Sequence, residues 1–169
     1  MTAPLDHAAI AVLIPHAGSM CLLDRAFAWD EATLVCSATS HRNPANPLRT
    51  PSGLLAPCAI EYAAQAMALH GALLGRANLQ PNEPRARTGK PGFLASARGV
   101  RFARLRLDDL AGDLGIEVRR LAGDARQILY AFSVTHAGNA VAATGRGVSS
   151  TTVARPSATA LPAWVTLNA

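Results

Sequence analysis

The sequence predicts an α+β domain in which one long buried helix lies against an antiparallel sheet. Two observations carry this. A segment beginning near Cys58 is apolar almost all round at helical length, so it belongs inside the molecule and not on its surface. After it come four strand candidates, at 92–106, 113–122, 126–136 and 139–150, separated by turn signals at hairpin spacing. A long helix followed by a run of strands gives one helix packed on a sheet.

In chain order, residues 8–14 (AAIAVLI) form a short apolar element that ends at Pro15. Met20–Leu23 is apolar and leads into Asp24-Arg25. Residues 32–40 (ATLVCSATS) alternate loosely and carry β-branched side chains, which reads as a strand. Residues 42–57 hold Pro44, Pro47, Pro51 and Pro57, with Asn43, Asn46 and Gly53. Proline removes backbone donors and restricts the residue before it, so this stretch is a structured loop. Pro57 suits a first helical turn. The helix then runs from about Cys58 to Leu74 and closes at Gly75. Residues 76–90 are polar and Pro-rich and read as a long loop. The later strands break at Asp108-Asp109 with Gly112-Asp113, at Gly123-Asp124, and at Ala137-Gly138-Asn139. The domain is expected over 1–150, with 151–169 as a C-terminal arm.

Composition narrows the function classes. Half of the 169 residues are hydrophobic and 16% are charged, enough apolar material for one core and too much for general disorder. The formal charge of +5 comes from fifteen Arg and one Lys. Arg98, Arg101, Arg104 and Arg106 cluster at a spacing that fits a strand. Such a stripe suits an acidic carrier protein as well as it suits nucleic acid. Cys21, Cys36 and Cys58 are odd in number and far apart, and neither a CxxC pair nor a zinc pattern is present. This favours a reducing, cytoplasmic setting. The N-terminus shows no signal-peptide pattern. The longest apolar segment, around Glu61, is too short and too polar to span a membrane. Nothing in the sequence signals a metal, nucleotide or redox cofactor.

Within the helix, Glu61 is flanked by Ala, Ile, Tyr and Met, where an unpaired charge is costly. Gln65, one turn on, shares its face and is placed to hydrogen-bond it. A helix apolar on every side is covered only partly by one sheet, which predicts a dimer. Cys58 has no base near it in sequence and reads as inert packing.

Three stretches together resemble a known family. Ile14-Pro15-His16 followed by Leu22-Leu23-Asp24-Arg25 is similar to the opening of bacterial 3-hydroxyacyl-acyl-carrier-protein dehydratases. Ile60-Glu61-Tyr62-Ala63-Ala64-Gln65-Ala66 resembles their central helix. Gly92-Phe93-Leu94-Ala95-Ser96, Val100-Arg101-Phe102 and Leu110-Ala111-Gly112-Asp113 resemble the strand and turn that follow. The wording HAGSMCLLD, NPLR and IEYAAQAMALHGALL is most similar to the dehydratase-like proteins of aryl-polyene and xanthomonadin-type pigment clusters. The resemblance covers residues 9–150. It implies a hotdog fold, a homodimer or a heterodimer with a related subunit, and a substrate carried on the phosphopantetheine of an acyl carrier protein.

The implied chemistry is removal of water from a 3-hydroxyacyl thioester, which needs a base for the α-proton and an acid for the departing hydroxyl. Glu61 is the candidate acid, with Gln65 in support. The resembling family carries its histidine in a Gly-His-Phe-Pro stretch fourteen positions before the Glu, where this chain has Pro47. His41 is the expected replacement, entering the loop that leads to the helix. The backbone N–H groups of Cys58 and Ala59, at the helix start, are the expected donors to the thioester oxygen. In the resembling opening motif the residue at His16 is structural. His70 is 2.5 turns past Glu61, His136 reads as a surface residue and His7 lies in the N-terminal arm. Three other readings stay open: a thioesterase using Glu61 alone, a catalytically degenerate partner subunit, and an RNA-binding module using the arginines.

Overall fold

The computed structural model describes residues 3–77, 93–124, 126–137 and 140–150. The predicted arm at 151–169 and most of the predicted loop at 76–90 lie outside them.

The chain opens with a two-residue strand, β1 (Leu5–Asp6), and a short helix, α1 (His7–Leu13). Asp6 caps that helix by accepting a hydrogen bond from the Ala9 N–H. The apolar element read at 8–14 is this helix, and it buries Ile10 and Ile14 in the core. A 3-10 turn at Gly18–Met20 leads to the hairpin β2 (Arg25–Trp29) and β3 (Thr33–Ala38). The Asp30 carboxylate closes that hairpin by accepting from the N–H groups of Ala32 and Thr33. Short 3-10 turns follow at Ser40–Arg42 and Ala56–Cys58. The long helix α2 occupies Ala59–Ala77, and then come β4 (Phe93–Phe102), β5 (Leu114–Gly123), β6 (Gln127–His136) and β7 (Ala140–Ser150).

The seven strands form one sheet in the order β1-β2-β3-β5-β6-β7-β4. Every neighbouring pair is antiparallel. One face alternates apolar residues toward α2: Leu114, Ile116 and Val118 from β5, and Tyr130, Phe132 and Val134 from β6. On β7 a side chain at Gly147 would collide with Met67 of α2, 2.9 Å from the ideal Cβ position. Glycine there lets helix and sheet approach closely.

Three elements depart from the sequence reading. The helix runs past Gly75 to Ala77, because Gly75 does not take the left-handed conformation of a helix-ending glycine. The strand read at 92–106 stops at Phe102, because Leu105–Leu107 pair with the loop before α2 instead of the sheet. The Ala56 N–H donates to Leu105 O and the Leu107 N–H donates to Leu54 O. Strand β2 lies where the sequence reading placed no strand, because its burial does not alternate.

The Pro-rich loop is ordered by side chains. Asn46 Nδ2 donates to Ser40 O and to the Tyr62 hydroxyl, while Asn46 Oδ1 accepts from the Leu48 N–H. Asp108 pairs with both Arg49 and Arg106 beneath the turn at Gly53. The first turns of α2 are therefore held in place from two sides.

Candidate active site

Glu61 occupies the first turn of α2, where the helix dipole favours a carboxylate. Gln65 follows one turn later and is fully buried. Its amide is used on both ends. The oxygen accepts from the Leu22 N–H at 2.9 Å, and the nitrogen donates to Met20 O at 2.8 Å and to Glu61 Oε1 at 3.0 Å. Gln65 thus clamps the chain after α1 onto the helix and orients the carboxylate with the same group. Ser40 adds a second clamp, its hydroxyl donating to Leu22 O and meeting the Tyr62 hydroxyl.

The clamped segment carries His16. Its Nε2 lies 3.2 Å from Glu61 Oε1. The His16 side chain keeps 26% of its surface exposed and that of Glu61 keeps 10%, so the pair is sheltered yet reachable. His16 Nδ1 is buried without a partner among the described residues. Sequence reasoning passed over His16 because its only signal was an opening motif in which that residue is structural.

The expected base, His41, goes elsewhere. It lies on the 3-10 turn Ser40–Arg42, fully buried, with Nε2 3.3 Å from Leu110 O and no hydrogen bond to Glu61. Successive residues on such a turn point about 120° apart. Because Ser40 is turned toward Tyr62 on α2, His41 is directed at the segment before β5. Arg42 reaches Gly112 O and Asp113 beside it. Burial pulls the His41 pKa below the ordinary imidazole value, which keeps the ring neutral.

The two expected backbone donors are also committed. The Cys58 N–H donates to Leu55 O, and the Ala59 N–H is shared between Ala56 O and Pro57 O. The 3-10 turn preceding α2 supplies acceptors that a bare helix start would lack. The Cys58 thiol is half-buried, and burial raises its pKa, which leaves it an unreactive thiol.

The remaining histidines serve the core or the N-terminal segment. His70 bridges the Tyr130 hydroxyl and Asp30 O, with its pKa lowered by burial. His136 is buried, not on the surface as its place beside a turn implied. His7 contacts Leu23 O. Among the described residues no group of three His, Cys, Asp or Glu is placed to hold a metal ion, and no helix is long and apolar enough to cross a membrane.

The arrangement is an acid–base pair. A carboxyl and an imidazole share one contact, a buried amide fixes the carboxyl, and solvent reaches both. Such a pair moves a proton between two neighbouring atoms of a bound molecule.

Comparison with known proteins bears on the family and the fold. Residues 8–161 match the ApeP-like family, described as ApeP dehydratase. A chain of the dehydratase heterocomplex ApeI:P from Xenorhabdus doucetiae superposes with a TM-score of 0.70 at 22% identity, over 83% of this chain and 89% of that one. A variant of the Staphylococcus aureus hypothetical protein SAV0944 superposes at 0.50 with 11% identity, over 73% and 88%. The E. coli PaaI protein from the phenylacetic acid degradation operon gives 0.49 with 14% identity, over 74% and 80%. No curated protein sequence matches. The shared architecture, one long helix laid across an antiparallel sheet, is the hotdog fold.

Proposed function

The chain belongs to the ApeP dehydratase family, and on that premise we propose that it dehydrates a 3-hydroxyacyl thioester held on an acyl carrier protein, giving the 2-enoyl thioester. The observation that carries this reading is the His16–Glu61 pair fixed by Gln65. His16 Nε2 takes the α-proton. The electrons of the Cα–H bond form the Cα–Cβ double bond, and the Cβ–O bond breaks as the Glu61 carboxyl protonates the departing hydroxyl. Water leaves. His16 now carries the α-proton and Glu61 is one proton short, and transfer across the 3.2 Å contact restores both groups. No cofactor is required, since one proton is taken and one is given. The acyl groups implied are of fatty-acid or polyene type, and the free cysteines suit the cytoplasm.

The same reading includes a partner subunit. Strand β4 is an edge of the sheet ten residues long, with Phe93 and Phe102 exposed on it and Leu105 exposed just beyond. A long edge of that kind is a template for pairing with another chain. A similar fold occurs in a dehydratase heterocomplex, which favours a related hotdog subunit as the partner, in a homodimer or a heterodimer.

The test is mass spectrometry of the purified protein mixed with a 3-hydroxyacyl-carrier protein. Loss of about 18 Da, one water, from the carried chain is expected. Release of the free acid would replace this reading with a thioesterase. No change alone, but loss of water once a homologous subunit is added, would make the chain the supporting member of a pair.

A further inference from the structure

Tyr62 follows Glu61 on α2 and is fully buried. Phenylalanine would fill the same space, so the hydroxyl is the group to explain, because a buried polar group is costly unless it is hydrogen-bonded. It sits inside a chain of short contacts. Asn46 Nδ2 lies 3.1 Å from Tyr62 Oη, Tyr62 Oη lies 2.9 Å from Ser40 Oγ, and Ser40 Oγ lies 2.8 Å from Leu22 O. Asn46 Nδ2 also meets Ser40 O at 2.9 Å.

The groups at either end give these bonds one direction. The Leu48 N–H can only donate, and it meets Asn46 Oδ1 at 2.9 Å. The amide atom facing Tyr62 is therefore the nitrogen, which only donates, so Tyr62 Oη accepts from it. Leu22 O can only accept, so it takes the single hydroxyl proton of Ser40. Ser40 Oγ must then accept from Tyr62. Burial pushes the Tyr62 pKa up to about 12, so that proton is present. The donors run from Asn46 to Tyr62 to Ser40 to Leu22 O, and neither hydroxyl is free to rotate.

The chain of donors ends on the residue that Gln65 also holds. Leu22 gives its N–H to Gln65 Oε1, and Gln65 Nε2 gives its two protons to Met20 O and Glu61 Oε1. The Met20 N–H in turn reaches back to Ala17 O, next to His16. Leu22 is thus fixed at both its N–H and its C=O, and the segment anchored there keeps His16 Nε2 3.2 Å from Glu61 Oε1. A fully satisfied buried network adds modest net stability but selects one arrangement. We propose that Tyr62 is a positioning residue for the acid–base pair. Oriented by Asn46, its hydroxyl holds Leu22 through Ser40 and so holds His16 at Glu61. The proposal rests on the His16–Glu61 reading above and adds a residue that acts only through others.

The test compares Tyr62→Phe and Ser40→Ala with Tyr130→Phe. Tyr130 is also fully buried, and its hydroxyl meets His70 Nδ1 at 3.0 Å, on a later turn of α2. Each variant loses one hydroxyl, so a merely structural role predicts the same outcome for all three. On the carrier-bound 3-hydroxyacyl substrate, Tyr62→Phe and Ser40→Ala should lower kcat about tenfold or more with KM within about twofold, because small misplacements of reacting groups act on the chemical step. Tyr130→Phe should leave kcat unchanged. The second readout needs no turnover. In protein isotopically labelled at its histidine rings, Glu61→Gln should shift the His16 NMR resonance, which is assigned by its loss in His16→Asn. Tyr62→Phe should move or broaden that resonance and weaken its response to Glu61→Gln, while Tyr130→Phe leaves both as they are. If Tyr62→Phe does not fold, Ser40→Ala carries both measurements. An unmoved His16 resonance in the folded variants overturns the proposal. So does a kcat in Tyr62→Phe and Ser40→Ala that matches Tyr130→Phe. A wild-type chain that removes no water strikes the dehydration reading instead, and the His16 resonance then decides the positioning role alone.

Discussion

His16 Nε2 and Gln65 Nε2 converge on one oxygen of Glu61, at 3.2 and 3.0 Å. The carboxyl therefore has a fixed orientation and one neighbour with which to exchange a proton. Removing either member should abolish the exchange. Glu61→Gln and His16→Ala are each expected to lower kcat by about 10² to 10⁴. The double variant should be little worse than either single one, because the residues act as a unit. Steady-state kinetics on the carrier-bound substrate, beside thermal melts showing retained folding, checks this.

His41 provides the contrast. Its ring is buried against Leu110 O and does not meet Glu61. His41→Ala should lower the melting temperature, because it removes a fully buried side chain. The kcat of the folded variant should stay within about threefold, far from the 10²-fold loss expected of a lost base. A full loss of turnover in a variant that melts like the wild type would return the base role to His41.

Gln65 joins stability to the site. Gln65→Leu leaves the Leu22 N–H and Met20 O without their buried partners, at about 1–3 kcal/mol for each unsatisfied group. It also frees the segment that carries His16. Urea unfolding should show the stability loss, and kcat should fall while KM changes little. A stability loss with kcat unchanged would mean that His16 needs no clamp.

How much of this was legible in the sequence follows from the kind of signal each residue carried. Helix α2 was plain because apolar residues fill almost every side of it, and Glu61 stood out as a charge among them. The β5–β7 hairpins were plain because glycines and aspartates punctuate alternating segments. The His16–Glu61 contact is long-range, and it depends on how α1 and the turn at Gly18–Met20 return the chain to α2. No local periodicity encodes such a return. His41 looked like a base because it is near Glu61 along the chain, yet a single 3-10 turn directs its ring elsewhere. The Cys58 and Ala59 donors failed for a similar local reason, since the turn at Ala56–Cys58 satisfies both.

Gly53 tests the loop that positions α2. Its φ is +96°, and a Cβ there would meet the Arg106 guanidinium and lie 2.6 Å from Asp108 Oδ2. Both the backbone conformation and the space demand glycine. Gly53→Ala is expected to destabilise the protein by more than about 1 kcal/mol, measured by urea unfolding. It should also weaken the Asp108 clamp on Arg49 and Arg106.

Stability should fall in two stages as the solution is acidified. Burial lowers the pKa of both His41 and His70 in the folded state. Between those lowered values and the ordinary imidazole value near 6.5 the unfolded chain binds more protons. Stability is therefore complete above about pH 6.5 and declines as pH falls below it. The second stage belongs to carboxylates held below their ordinary value by hydrogen bonds, Asp30 and Asp124 and, furthest down, Asp108. Its hydrogen bond from Arg106, with the charges of Arg106 and Arg49, holds its pKa down to about 2. Its contribution is present above the ordinary carboxylate value and fades as pH drops from about 4 toward 2. Urea midpoints measured from pH 8 to pH 3 should trace both stages. A His41→Gln, His70→Gln double variant should flatten the first and leave the second, whereas Asp108→Asn should shrink the second alone, leaving the share of Asp30 and Asp124. A first stage unchanged in the double variant would assign it to groups other than these two rings.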